Sequence, residues 1–80
     1  MNIDELRSIV AEVLDVDPVL LTEEAKFEQI TTDYDSLMVI SLMIALDENG
    51  IQINQSDVDL IKTFGDIIGY ARDKLQILED

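Results

Sequence analysis

Apolar side chains recur in this chain at steps of three and four residues, and that period constrains its fold class more than any other feature. Ile3, Leu6, Ile9, Val10, Val13 and Leu14 form one stripe, with Asp4, Glu5, Arg7, Ser8 and Glu12 between them, which is the pattern of an amphipathic helix. Asn2 is placed to cap its start, and Glu5 three positions on makes a weaker relative of the capping box. Asp17-Pro18 predicts its end, because proline lacks an amide donor and biases its predecessor toward extended geometry.

A second helix is predicted from Ser36 to Asn49, with Val39, Leu42, Met43 and Leu46 on its inner stripe and Asn49-Gly50 as a left-handed stop. Its opposite stripe carries Leu37, Ile40, Ser41 and Ile44 before Asp47 and Glu48, so the face that should be wet is largely apolar too. Ile51-Gln52-Ile53-Asn54 alternates like a strand but has no pairing partner elsewhere, and reads as an extended link. Ser56 looks like the N-cap of a short third helix carrying Val58, Leu60 and Ile61, with Asp57 and Asp59 near its positive end. Thr63 caps a last helix whose inner stripe is Phe64, Ile67, Ile68, Ala71 and Leu75, with Arg72 and Lys74 toward its negative end. Gly65 and Gly69 weaken that helix by ~1 kcal/mol each relative to Ala, which close packing against another helix would explain. The final Glu79-Asp80 should fray.

Between the first two helices lies a long connection reaching about Asp35. Loops of that size need anchoring in a compact domain, so Leu20, Leu21, Phe27 and Ile30 are expected to pin it to the core, and Thr22-Glu23-Glu24 to form a short helical turn. The fold expected is all-α: four helices, the third short, with the long loop between helices one and two.

Eighty residues make one domain, 1–80, with a small aliphatic core. Neither cysteine nor histidine occurs, which removes thiolate metal sites, the commonest general base and the Ser-His and Cys-His nucleophile pairs. The acids that remain are dispersed over solvent faces with no basic or aromatic cluster to mark a cleft, so no catalytic residue and no metal site is expected. Eighteen acidic against five basic residues give a net charge of −13. Such a field repels nucleic acid and anionic membrane surfaces, favours basic protein partners and favours a monomer. The N-terminus lacks the basic and apolar regions of a secretory signal. The apolar run from Leu37 to Leu46 is broken by Ser41 and is half of the ~20 residues that span a bilayer. A cytoplasmic location is expected.

The unusual features concentrate where Asp33-Tyr34-Asp35-Ser36-Leu37 joins the polar loop to the most apolar helix. Composition alone favours a plain reading, in which Ser36 or Asp35 is an N-cap. The functional reading is that a hydroxyl at a helix start is a good place for a phosphodiester, whose charge meets free amides and the positive end of the helix dipole. Ser8, Ser41 and Ser56 are poorer places: the first two lie within helices, and the third has no apolar stripe beside it.

Asp35-Ser36-Leu37, followed by a helix ending in Ala45-Leu46-Asp47-Glu48, resembles the signature of acyl carrier proteins. The likeness extends over nearly the whole chain: length, acidic balance, absent Cys, Phe27 in the loop, Ile53, and Thr63 opening the final helix. It implies a four-helix bundle that is not itself an enzyme. It also implies a 4'-phosphopantetheine arm, attached to Ser36 from coenzyme A by a phosphopantetheinyl transferase, which carries acyl intermediates as thioesters. On this likeness Asp35 helps to position the transferase or its metal ion, and Leu37 contacts partners. Those partners are the acyltransferases, ketosynthases or acyl-ligases of fatty acid, polyketide or specialised lipid biosynthesis.

The chain departs from the family in two places. Asp33 stands where a Gly is usual, with Tyr34 following and a loop about one residue longer. On the second helix, Met38 and Ser41 occupy positions that often carry acids. The outer face therefore keeps Asp35, Asp47 and Glu48 at its ends and offers Leu37, Met38, Ile40, Ser41 and Ile44 between, a face for partners with basic and apolar docking patches. That points to a polyketide or specialised lipid pathway; the plainer reading is that some of these side chains pack on the long loop. A carrier of amino acids or peptides is the nearest alternative, although peptidyl carriers show Gly-Gly with His or Asp before the serine. A helical interaction module without a prosthetic group shares every feature except the modified serine. Calcium binding fits poorly, since neither Asp33-Tyr34-Asp35 nor Asp47-Glu48-Asn49-Gly50 completes the loop pattern.

Overall fold

A computed structural model describes residues 1–32 and 34–74; the expectations for Asp33, Leu75 and Glu79-Asp80 lie outside the described residues. Helix α1 spans Ile3–Leu14, and its cap is as expected, with Asn2 Oδ1 accepting from the Glu5 amide at 2.8 Å. It ends four residues before Pro18 rather than at it. Asp15 takes a left-handed conformation at φ 56°, and the Val16 amide turns back to the Ala11 carbonyl at 3.1 Å. Short polar Asp tolerates that conformation better than the apolar residues around it. Pro18 instead opens a 3-10 turn, Pro18–Leu20, capped by Asp17.

The long loop is tied down by Leu21 and Phe27, both fully buried, while Ile30 is half-buried. Leu20 corrects the expectation: it is 47% exposed on the 3-10 turn. Thr22–Glu24 form a single turn closed by the Ala25 amide on the Thr22 carbonyl. The helical turn of the loop falls later, as α2, Phe27–Ile30. Its position is set by tertiary contact. The Phe27 amide donates to the Lys62 carbonyl, the Phe64 amide to Ala25 and the Gly65 amide to Glu23, around an antiparallel bridge between Lys26 and Thr63. Arg7 adds a further tie, its Nε donating to the Leu21 carbonyl at 3.0 Å while its guanidinium lies 5.4 Å from the centre of the Phe64 ring.

The predicted second helix is α3, Ser36–Glu48, which packs on α1 through Leu42 and Leu46 and is ended by Asn49 and by Gly50 at φ 87°. Residues 51–54 are extended and unpaired among the described residues. The short third helix is a 3-10 segment, Gln55–Leu60. Asn54 rather than Ser56 occupies its cap position, so Ser56 lies inside the segment, not at its start. Tyr70 supplies the missing tether: its hydroxyl accepts from the Asn54 amide and donates to Asp57.

Helix α4, Phe64–Asp73, has the cap that Thr63 promised. Thr63 Oγ1 accepts from the Asp66 amide, and Asp66 Oδ2 accepts from Thr63. Phe64, Ile67, Ile68 and Ala71 are buried. Each fully buried large side chain contributes about 1.5–3 kcal/mol, and the core draws on α1, α3, α4 and the loop together. The two glycines of α4 differ. A Cβ on Gly65 would stand 2.5 Å from the Glu23 carbonyl oxygen, so the close neighbour is loop backbone and not another helix; a Cβ on Gly69 would meet nothing within 4 Å. The architecture is thus all-α, with α1, α3 and α4 sharing one core that Leu21 and Phe27 of the long loop join.

Candidate functional site

The junction of loop and α3 separates the two roles that the sequence left open between Asp35 and Ser36. Asp35 is the cap: its backbone is extended, and Oδ1 accepts from the Met38 amide at 2.9 Å. Ser36, the first helical residue, is exposed, and its hydroxyl has no hydrogen-bond partner among the described residues. The plain reading therefore accounts for Asp35 but leaves the Ser36 oxygen without a structural task. The Ser36 and Leu37 amides belong to the first turn, where helical amides lack partners of their own.

Ser36 lines a cavity of about 510 Å³ whose walls include Tyr34, Val39, Ile40, Val58 and Lys62. A second cavity of about 420 Å³ shares Val39, Ile40, Val58 and Asp59 with it and extends to Met43, Ile44 and Ile53. A third, of about 270 Å³, continues past Ile44 and Ile53 to Asp47. Together they form an open furrow along α3 against the 3-10 segment, and the eight helical steps from Ser36 to Ile44 cover about 12 Å of it.

The donor set suits a phosphate-linked arm. Exposed oxygen, first-turn amides and a lysine stand at one end, and a floor of Val39, Ile40, Met43 and Val58 leads away from them. Tyr34 belongs to this end. Its ring sits 5.6 Å from that of Phe27 at 46°, and burial first, then the nearby Glu28 carboxylate, raises the phenol pKa above its ordinary value. The phenol consequently stays a hydrogen-bond donor. Sequence reasoning noted Tyr34 only as a departure and did not find Lys62, which is far along the chain and is brought here by the pairing of its segment with Phe27.

The outer face of α3 is open. Leu37, Ile40 and Ile44 are 72%, 54% and 55% exposed, and their spacing sets them on one stripe with Ser41, also exposed. Asp35, Asp47 and Glu48 are exposed at its two ends. Met38 differs, being half-buried and packed on the core. Among the described residues, no three Asp or Glu side chains gather to hold a metal ion, and no helix is long and apolar enough to cross a membrane.

Known proteins resemble the chain over nearly all of this structure. Residues 4–71 match the family described as phosphopantetheine attachment site. An acyl carrier protein of Helicobacter pylori is 35% identical over 71 residues, covering 88% of this chain and 90% of that one. One from Wolinella succinogenes is 37% identical over 68 residues, 84% and 88% of the two chains. One from Thermotoga maritima is 36% identical over 72 residues, 89% and 88%.

Proposed function

The chain belongs to the phosphopantetheine-attachment family and within it to the acyl carrier proteins, and from that premise we propose that Ser36 is where its 4'-phosphopantetheine arm is joined. The protein is a non-catalytic carrier of acyl groups. When bound, the arm supplies the thiol that forms the thioester, a group the chain itself lacks because it has no cysteine.

The single observation that carries the assignment is the division of labour at the start of α3. Asp35 takes the capping task, so the Ser36 hydroxyl is exposed and, among the described residues, uncommitted, beside the amides of the first helical turn. In the loading step, Ser36 Oγ bonds to the phosphorus that carries the pantetheine in coenzyme A. The pyrophosphate P–O bond breaks, adenosine 3',5'-bisphosphate leaves, and the hydroxyl proton passes to a base of the transferase. The phosphodiester formed keeps one negative charge, which the helix start favours.

Docking falls to the outer face of α3. Leu37, Ile40 and Ile44 are the apolar anchors, Ser41 lies between them, and Asp35, Asp47 and Glu48 address basic residues at the rim; Met38 contributes only an edge because most of it faces the core. Partners on this reading are the phosphopantetheinyl transferase, and acyltransferases, ketosynthases or acyl-ligases that present apolar pockets framed by Lys and Arg. A face so poor in acids suits a polyketide or specialised lipid pathway. We further place the protein in the cytoplasm, as a single carrier domain over 1–80 acting as a monomer.

Intact-mass analysis tests the assignment. Incubated with coenzyme A and a broad-specificity phosphopantetheinyl transferase, the wild type should gain one phosphopantetheine and Ser36→Ala none. No gain in the wild type, or a gain that survives the substitution, overturns it.

A further inference from the structure

Lys62 is the cation in the wall of the cavity that Ser36 lines, and Tyr34 stands in the same wall. Both are held there by one buried residue. The Phe27 amide donates to the Lys62 carbonyl at 3.1 Å, and the Phe27 ring supports that of Tyr34. The Lys62 backbone is fixed on its other side too, its amide donating to Asp66 Oδ2 at 2.9 Å within the cap of α4. Position 62 is thus set by the α4 cap and the loop together, and not by any need of its own side chain.

The other charged residues of the wall are acidic. Glu28 and Asp59 line the cavity, and Asp35 adjoins it in sequence. No ion pair within 4.0 Å joins Lys62 to any of them among the described residues. An anion on Ser36 Oγ would therefore meet repulsion from these carboxylates, with Lys62 as the charge that offsets it and the Tyr34 hydroxyl as a neutral donor.

We propose that Lys62 and Tyr34 form a clamp for the phosphodiester at the root of the arm, the ammonium pairing with its charge and the phenol donating a hydrogen bond. This rests on Ser36 as the attachment residue. The clamp directs the arm along the furrow toward Met43 and Ile44 rather than into solvent, and Phe27 preorganises it before loading. A charge-assisted contact that is partly exposed shifts an equilibrium only modestly, by about threefold, so the arm is held lightly and stays available to partners.

The test uses the loaded protein and phosphorus NMR. Wild type, Lys62→Gln and Tyr34→Phe are each converted to the holo form, with loading confirmed by intact mass and folding by melting temperature. Tyr34→Phe keeps the ring on Phe27, and Lys62→Gln leaves both backbone hydrogen bonds of position 62 in place. In the wild type the phosphodiester resonance should be broader than that of a short peptide carrying phosphopantetheine on serine, and should move toward it as sodium chloride is added. In each variant the docked-to-free ratio should fall by about threefold, with narrower lines and a weaker response to salt. Either variant matching the wild type in shift, linewidth and salt response overturns the clamp. A wild type that takes up no arm overturns the Ser36 assignment and the clamp with it, an outcome that mass alone identifies.

Discussion

Replacing each glycine of α4 by alanine should move stability in opposite directions. At Gly65 the new Cβ would sit 2.5 Å from the Glu23 carbonyl oxygen, the same oxygen that accepts the Gly65 amide at 2.9 Å. The obstacle is backbone, so relief requires the loop to move away and lengthen or lose that hydrogen bond. Overpacking of this kind costs about 1–3 kcal/mol, and a weakened hydrogen bond adds about 1 kcal/mol. The gain in helix propensity offsets at most about 1 kcal/mol, which leaves Gly65→Ala less stable by about 1–3 kcal/mol. Gly69→Ala meets nothing within 4 Å and its backbone is not left-handed, so only the propensity gain of about 0.5–1 kcal/mol remains. Thermal unfolding followed by far-ultraviolet circular dichroism reads both. At about 4–8 °C per kcal/mol for a domain of this size, the two melting temperatures should separate clearly on either side of the wild type. Shifts of the same sign in both variants would refute the packing of α4 on the loop.

Arg7→Met should lower stability by about 1–3 kcal/mol in chemical unfolding, because it removes the cation from the face of Phe64 and the donor from the part-buried Leu21 carbonyl. Lys at this position should restore little of it, lacking the planar fork. The fold raises the Tyr34 pKa and so favours the neutral phenol; its stabilising contribution is present below the ordinary value of about 10 and is lost as pH climbs through the raised one. Melting temperatures of wild type and Tyr34→Phe compared from about pH 8 to pH 11 should therefore show the wild type losing more. With a net charge of −13, self-repulsion weakens the compact state at low ionic strength, and melting temperature should rise as salt or magnesium is added from near zero.

The long helices were legible because their periodicity and caps are local. Asn2 and Thr63 act as the sequence implied, and Asn49-Gly50 stops α3 where expected. The short elements were not. A one-turn helix at Phe27 and a 3-10 segment from Gln55 carry no period, and their positions follow from tertiary bonds to Lys62 and Tyr70. Ser56 misled because a cap residue is informative only where the backbone begins to turn, and that happens at Asn54. Leu20 misled because its 3-10 turn buries the next residue, Leu21, in its place. Ser36 was visible as an oxygen at a helix start, while its freedom from capping emerged only once Asp35 was seen to hold the Met38 amide. Lys62 had no local signal at all.

The most direct measurement charges the apo protein from octanoyl-coenzyme A with a broad-specificity phosphopantetheinyl transferase and weighs it before and after neutral hydroxylamine. A polypeptide without a thiol of its own should gain arm and acyl group together, surrender only the acyl group to hydroxylamine, and gain neither as Ser36→Ala. An acyl group that resists hydroxylamine, or one that attaches to the variant, would contradict the account.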